Sequence, residues 1–127
     1  MHRNPMYICS MYSKELLKGT LSTIVLALLK ERGKMYGYEI TREVKERTEG
    51  KILIKEGSLY PALHRLQADG FVTTEELSLG KRTRIYYMLT ETGKSKREEQ
   101  VSELQNFMET IRQLIIPAST PFYGIAH

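Results

Sequence analysis

The chain has 127 residues, a length that suits one small domain with or without an appended helix. Apolar residues make up 41% and charged residues 27%, which are ordinary globular proportions and give no indication of wholesale disorder. The net charge of +4 is uneven: four glutamates and one arginine give residues 98–127 a net charge of −3, which leaves +7 in residues 1–97. A basic body suits a polyanionic partner, although a solvated charged surface without function explains the same charges equally well.

The sequence contains no segment that predicts membrane insertion or secretion. Its longest apolar run, in Leu21–Leu29, is too short to cross a bilayer, and the first thirteen residues lack the apolar core of a secretory signal. A single cysteine, Cys9, cannot form an internal disulfide or a multi-cysteine zinc site. We therefore expect a cytoplasmic protein without a cofactor or a bound metal.

The first predicted elements are a flexible arm and two helices. Residues 1–13 have no regular period and predict the arm. Lys14–Arg32 predicts the first helix because a wide apolar face recurs at helical spacing, and Gly33 can end it. Tyr36–Glu49 predicts the second helix, which Gly50 ends.

A third helix is predicted to begin at Ser58, as its N-cap, and to close at Asp69 and Gly70. Pro61 is tolerable if it falls in the first turn, where its missing N–H has no intrahelical partner. The apolar stripe consists of Leu59, Ala62, Leu63 and Leu66, and the other side carries Tyr60, Pro61, His64, Arg65 and Gln67. An apolar back with donors in front suits a helix in the DNA major groove, although many amphipathic surface helices share the pattern.

After the third helix the pattern changes to that of a β-hairpin. Phe71–Leu79 and Arg84–Leu89 are rich in β-forming residues, and residues 80–83, Gly-Lys-Arg-Thr, predict the turn between them. Lys81 and Arg82 give the hairpin a cationic tip that suits contact with phosphates or a minor groove. The alternative is that these cations only keep the edge strands from associating.

The last predicted element is a long helix over Glu91–Ile116, capped by Thr90. Its narrow apolar seam consists of Val101, Leu104, Met108, Ile111 and Ile115, broadened by Phe107 and Leu114. Such a seam predicts packing on a second copy of the chain, with help from Leu17 and Leu21 of the first helix. The alternative is that the helix folds back on its own core. Residues 117–127 predict a loose tail.

Together these elements predict a mostly α fold with a small β-hairpin wing (α+β). It comprises a winged helix-turn-helix over residues 14–90 and a dimerisation helix over residues 91–116. In this order and spacing the chain resembles the PadR family of bacterial transcriptional regulators, in its branch with one terminal helix. The segments that carry the resemblance are Glu15–Leu29, Tyr36–Ile40, Glu56–Val72 and Gly80–Gly93. The resemblance implies a dimeric transcription factor, usually a repressor, that a small molecule or cellular stress releases from its operator.

The resemblance also implies roles for individual residues in binding double-stranded DNA. The major-groove residues would be Ser58, Tyr60, Pro61, His64 and Arg65, with Lys55 just before them; those near phosphates would be Tyr36 and Tyr38; the wing cations would be Lys81, Arg82 and Arg84. For Tyr60 and His64, a packing role is an equal alternative. Two such helices related by a two-fold axis predict an inverted-repeat operator.

One departure from the family concerns the small-molecule effector. Multidrug-sensing members stack flat ligands on a tryptophan of the terminal helix, and this chain has no tryptophan. Leu104, Phe107 and Met108 are the candidate lining of an apolar cavity between subunits, with core packing as the alternative.

Two other classes of function compete with DNA binding. A winged-helix module that uses the same face to bind protein is the runner-up, and salt-steep binding to duplex DNA would separate the two. An enzyme has little support, because the sequence shows no glycine-rich phosphate loop or paired carboxylates and its three histidines are scattered.

Overall fold

The computed structural model describes residues 10–116, which form four helices and one three-stranded antiparallel sheet. The elements are α1 (Lys14–Arg32), β1 (Lys34–Tyr36), α2 (Gly37–Arg47), α3 (Glu56–Ala68), β2 (Val72–Leu79), β3 (Arg82–Leu89) and α4 (Glu91–Ile115). The mostly α fold with a hairpin wing is therefore confirmed. Of the segments predicted to be loose, residues 1–9 and 117–127 lie outside the described residues.

Helix α1 has the predicted bounds because both of its ends are capped. The Ser13 hydroxyl accepts a hydrogen bond from the Leu16 amide at 3.3 Å. At the other end the Gly33 amide donates to the Leu29 carbonyl at 2.9 Å, with a φ of 91° that favours glycine.

The prediction that a second helix begins at Tyr36 is wrong, because Lys34–Tyr36 forms strand β1 and α2 begins at Gly37. The three residues of β1 pair with Met88, Tyr87 and Tyr86 of β3. A three-residue strand is too short to show a period, and its partner lies about fifty residues further along the chain. Helix α2 also ends earlier, at Arg47, and the chain then turns through Glu49 and Gly50 with positive φ.

The predicted start of the third helix is also wrong, since α3 begins at Glu56 with Lys55 as its N-cap residue. Ser58 therefore lies within the first turn, where its amide donates to the Lys55 carbonyl at 3.0 Å. Pro61 falls in the second turn, and the amide hydrogen bond that it cannot donate would end on the carbonyl of Gly57, an exposed residue. The predicted C-terminal end holds, with Asp69 as the C-cap and Gly70 at a φ of 84°.

The sheet has the order β1-β3-β2, so that β3 is its central strand. Leu79 is paired with Arg82, and Gly80 and Lys81 alone form the turn. The predicted four-residue turn is therefore two residues too long, and Arg82 and Thr83 belong to β3. Gly80 has a φ of 67°, as two-residue hairpin turns require.

The core lies between the first three helices and the inner face of the sheet. Its fully buried side chains are Val25, Leu26, Leu29, Met35, Ile40, Leu59 and Leu63. Two glycines permit close contacts around this core. The Tyr60 ring lies against Gly37 at the start of α2, and the carbonyl of Phe71 lies against Gly93 in the first turn of α4.

Helix α4 is anchored at its start to the end of α3. The Thr90 and Thr92 hydroxyls both donate to the Gly70 carbonyl, at 2.6 and 2.9 Å, and the Thr90 amide donates to Phe71 at 3.1 Å. Helix α4 then packs along α1, where the Thr23 hydroxyl donates to Gln100 at 3.1 Å. One side of the first half of the terminal helix thus packs on its own chain. Within residues 10–116, no helix combines the length and hydropathy needed to cross a membrane.

Candidate nucleic-acid interface

Helix α3 has the two unlike sides that its sequence predicts. Leu59, Ala62, Leu63 and Leu66 are buried against the core. On the other side Ser58, Pro61, His64, Arg65 and Gln67 are exposed. This face therefore offers a hydroxyl, an imidazole, a guanidinium and an amide to a partner, all on a helix that the core holds in place.

Tyr60 differs from the other predicted major-groove residues because it is half-buried. Its ring lies against Gly37, where a Cβ would collide with the phenol oxygen, and its centroid is 6.5 Å from that of His64. Burial raises the pKa of the neighbouring Tyr87 hydroxyl, and the proximity of Tyr60 adds to that rise. Tyr60 therefore packs α3 against the start of α2, which is the packing alternative that the sequence left open.

The start of α2 carries the two tyrosines that were predicted to lie near phosphates. Tyr38 is 55% exposed, and its ring lies 5.5 Å from the Arg42 guanidinium carbon. Tyr36 is half-buried, and its amide donates to the Glu39 carboxylate at 3.1 Å. Because Glu39 already occupies this amide, a phosphate at the helix start would have to use the following amides.

The wing cations fall into two kinds. Lys81 and Arg82 are exposed at the tip of the hairpin. Arg84 is half-buried, and its guanidinium carbon lies 4.2 Å from the centroid of the Tyr36 ring. The wing is thereby joined to the start of α2, and through Gly37 and Tyr60 to α3.

An open groove of about 650 Å³ lies between α1, the segment before α3 and the start of α3. The predicted DNA-binding residues Lys55, Ser58, Pro61 and Arg65 line one side of it. Lys14 and Lys18 of α1 line the other side, and no acidic residue of the described range 10–116 lines the groove. These two lysines could not be found from the sequence, since nothing in the α1 pattern indicates that α3 lies beside them.

The candidate cations differ in ion pairing from Arg47 of α2, although other cations of residues 10–116, such as Lys30 and Arg42, also make no salt bridge. In residues 10–116, Lys55, Arg65, Lys81, Arg82 and Arg84 make no salt bridge, and so their charges are available to phosphates. Arg47 of α2, in contrast, contacts Glu31 at 2.9 Å and Glu43 at 2.6 Å. Hydrogen bonds from Arg47 lower the pKa of both carboxyls and raise the pKa of Arg47.

The predicted dimerisation residues divide along α4. Val101, Leu104 and Ile111 are half-buried, as are Leu17 and Leu21 of α1, whereas Phe107, Met108 and Ile115 are exposed. The proposed ligand-lining residues Leu104, Phe107 and Met108 do not line the groove beside α3. Among the described residues, no group of three or more His, Cys, Asp or Glu side chains is placed to hold a metal ion.

Three packed helices followed by a hairpin with a cationic tip, in contact with the start of α2, define the winged helix-turn-helix class. Residues 25–99 match the transcriptional regulator PadR-like family. The chain belongs to this family, as the sequence resemblance predicted.

The similar proteins include two curated relatives. The chain is 34% identical over 103 residues to the uncharacterized protein X of Lysinibacillus sphaericus, covering 80% of this chain and 93% of that protein. It is 31% identical over 93 residues to the negative transcriptional regulator PadR of Bacillus subtilis, covering 72% of this chain and 50% of that protein. The chain thus spans about half the length of the Bacillus subtilis regulator.

Solved structures show the same similarity. A transcriptional regulator from Clostridium thermocellum is 30% identical, with a TM-score of 0.75 over 82% of this chain and 98% of that one. A PadR family transcriptional regulator from Eggerthella lenta is 28% identical, with a TM-score of 0.72 over 80% of this chain and 87% of that one.

Proposed function

We propose that this protein is a transcriptional repressor that binds an inverted-repeat operator as a homodimer. One observation carries the proposal: a series of contacts joins the exposed face of α3 to the wing. Tyr60 of α3 lies against Gly37, and the adjacent Tyr36 lies against Arg84 of the wing. The groups that we propose to face bases and phosphates are therefore held in one arrangement, which would suit a protein that meets DNA at two places.

On this proposal α3 enters the major groove and the wing contacts the neighbouring backbone. His64 and Arg65 are the exposed donors in the second half of α3, and Lys81 and Arg82 are the exposed cations of the wing tip. Each phosphate that a cation neutralises should contribute about −0.9 to the dependence of log K on log salt. Base contacts supply the preference among sequences, whereas wing contacts supply affinity for any duplex.

The proposed homodimer is supported by apolar surface that one chain leaves uncovered. Phe107, Met108 and Ile115 are 60%, 55% and 67% exposed on the second half of α4. Leu17 and Leu21 of α1 are only half-buried. We propose that the second copy's α4 covers these surfaces, because exposed apolar side chains at helical spacing are typical of helix–helix interfaces.

Repression and its release are the finer parts of the proposal. The similarity to the negative transcriptional regulator of Bacillus subtilis supports repression. A small-molecule effector would bind between the subunits near Leu104, Phe107 and Met108, where a second copy would enclose side chains that one chain exposes or only partly covers.

The test is a titration of the purified protein against its own upstream DNA and a scrambled duplex, at two salt concentrations. We expect tight, sequence-selective binding at two protomers per site, with half-sites about 34–36 Å apart. Weak binding that is equally salt-sensitive on both duplexes would reduce the finding to a basic surface. Absence of binding to either duplex would favour a winged-helix module that binds protein.

A further inference from the structure

The outer face of the sheet carries a row of aromatic and charged side chains, called here the ladder, that are not part of the buried core. Tyr36 of β1 and Tyr86 of β3 are directly opposite each other, with ring centroids 5.4 Å apart and planes at 74°. Arg84 lies two residues before Tyr86 on the same face, and its guanidinium covers the Tyr36 ring at 4.2 Å. The other face of these strands carries the buried Met35 and Tyr87.

The ladder is held from its far end as well. The Lys34 ammonium lies 5.8 Å from the centroid of the Tyr86 ring and 3.0 Å from the Glu75 carboxylate. Glu75 is itself opposite Tyr86 across the other side of β3. Tyr86 therefore has neighbours on all three strands, and its ring packs against the Tyr36 ring, over which Arg84 lies.

We propose that Tyr36 is a positioning residue for DNA binding, whose ring supports the Arg84 guanidinium so that the N–H groups of Arg84 can donate to a DNA phosphate. This inference rests on the proposed function and deepens it. A guanidinium stacked on an aromatic face keeps its N–H donors at the rim, in the planar fork that matches phosphate oxygens. The tyrosine hydroxyl takes no part in the contact.

The stack gives Arg84 a different role from Arg82. Binding immobilises a flexible side chain, and that ordering reduces affinity. Arg84 is ordered when the protein folds, because the Tyr36 ring already supports it, whereas Arg82 at the tip has no such support. Replacing the Tyr36 ring should therefore weaken DNA binding only because the Arg84 side chain loses its support.

The experiment is a double-mutant cycle measured as operator affinity by fluorescence anisotropy at one fixed salt concentration. Its variants are Tyr36→Phe, Tyr36→Leu, Arg84→Ala and the combination of Tyr36→Leu with Arg84→Ala. We expect Tyr36→Phe to bind like the unmodified protein, and Tyr36→Leu to weaken binding about two- to fivefold. In the Arg84→Ala background, Tyr36→Leu should weaken binding no further. The matched control is Arg82→Ala, with which Tyr36→Leu should combine additively.

Each other outcome has a defined meaning. If Tyr36→Phe binds as weakly as Tyr36→Leu, the hydroxyl makes the contact and the inference is wrong. Unchanged affinity in Tyr36→Leu, or additive losses with Arg84→Ala, would also overturn it while the proposed function stands. Failure of the unmodified protein to bind any duplex would instead refute the proposed function.

A second variant guards against loss of folding. If Tyr36→Leu melts at a lower temperature than the unmodified protein, Arg84→Lys replaces it, since lysine keeps the charge but lacks the planar group that stacks. We expect Arg84→Lys to lose most of the affinity that Arg84→Ala loses. Full affinity in Arg84→Lys would show that the stack is unnecessary.

Discussion

The close contact between α4 and the end of α3 yields a prediction with a matched control. In Gly93→Ala the new Cβ would collide with the carbonyl oxygen of Phe71 and lie 2.9 Å from its carbon. These are backbone atoms, and the same segment is held by the bonds from Thr90 and Thr92, so the contact cannot relax by rotating a side chain. Overpacking of this kind lowers the free energy of unfolding by about 1–3 kcal/mol.

Gly19→Ala is the control, because Gly19 also lies inside a helix but a Cβ there meets nothing within 4 Å. Replacing a helical glycine with alanine at such a site should raise the free energy of unfolding by about 1 kcal/mol. The two substitutions are chemically identical and should therefore change stability in opposite directions.

The assay is urea unfolding at one protein concentration, followed by circular dichroism. We expect the midpoint to rise for Gly19→Ala and to fall for Gly93→Ala. If Gly93→Ala is as stable as Gly19→Ala, α4 does not approach Phe71 as closely as the structure shows, and the reasoning about its anchor is refuted.

Three further predictions follow from the charges and the exposed surface. Arg82→Ala should weaken binding similarly on all duplexes and reduce the salt slope by about one; an unchanged slope would remove the wing tip from the mechanism. Phe107→Glu with Ile115→Glu should give monomers by light scattering, whereas the control Gln105→Glu, also exposed on α4, should remain dimeric. Arg47→Gln should lower the melting temperature at neutral pH. The two glutamate partners of Arg47 have lowered pKa values in the folded protein. Their contribution to the free energy of unfolding is therefore present above the ordinary carboxyl pKa and is lost as the pH falls through the lowered pKa values. The difference in melting temperature between Arg47→Gln and the unmodified protein should therefore shrink in acid. A difference that stays constant with pH would contradict a stabilising role for these ion pairs.

Much of the fold could be predicted from short-range patterns. The bounds of α1, the apolar stripe of α3 and the Thr90 cap of α4 all depend on residues within a few positions of one another. Helical spacing and caps are properties of such neighbours, and so they can be recognised without knowledge of the tertiary structure. The candidate DNA-binding residues were likewise named from local pattern and family resemblance, and their roles stay predictions.

How those residues are supported depends on contacts between segments that are distant in the sequence. Strand β1 exists because β3 offers it a partner far along the chain, and this pairing brings Tyr36 beneath Arg84. Tyr60 is half-buried because Gly37 leaves room for its ring. The physical reason is the separation in sequence between the residues that interact. Neighbouring residues determine which side of a helix is apolar, whereas the packing of distant segments determines which exposed side chains are held in place and which are free.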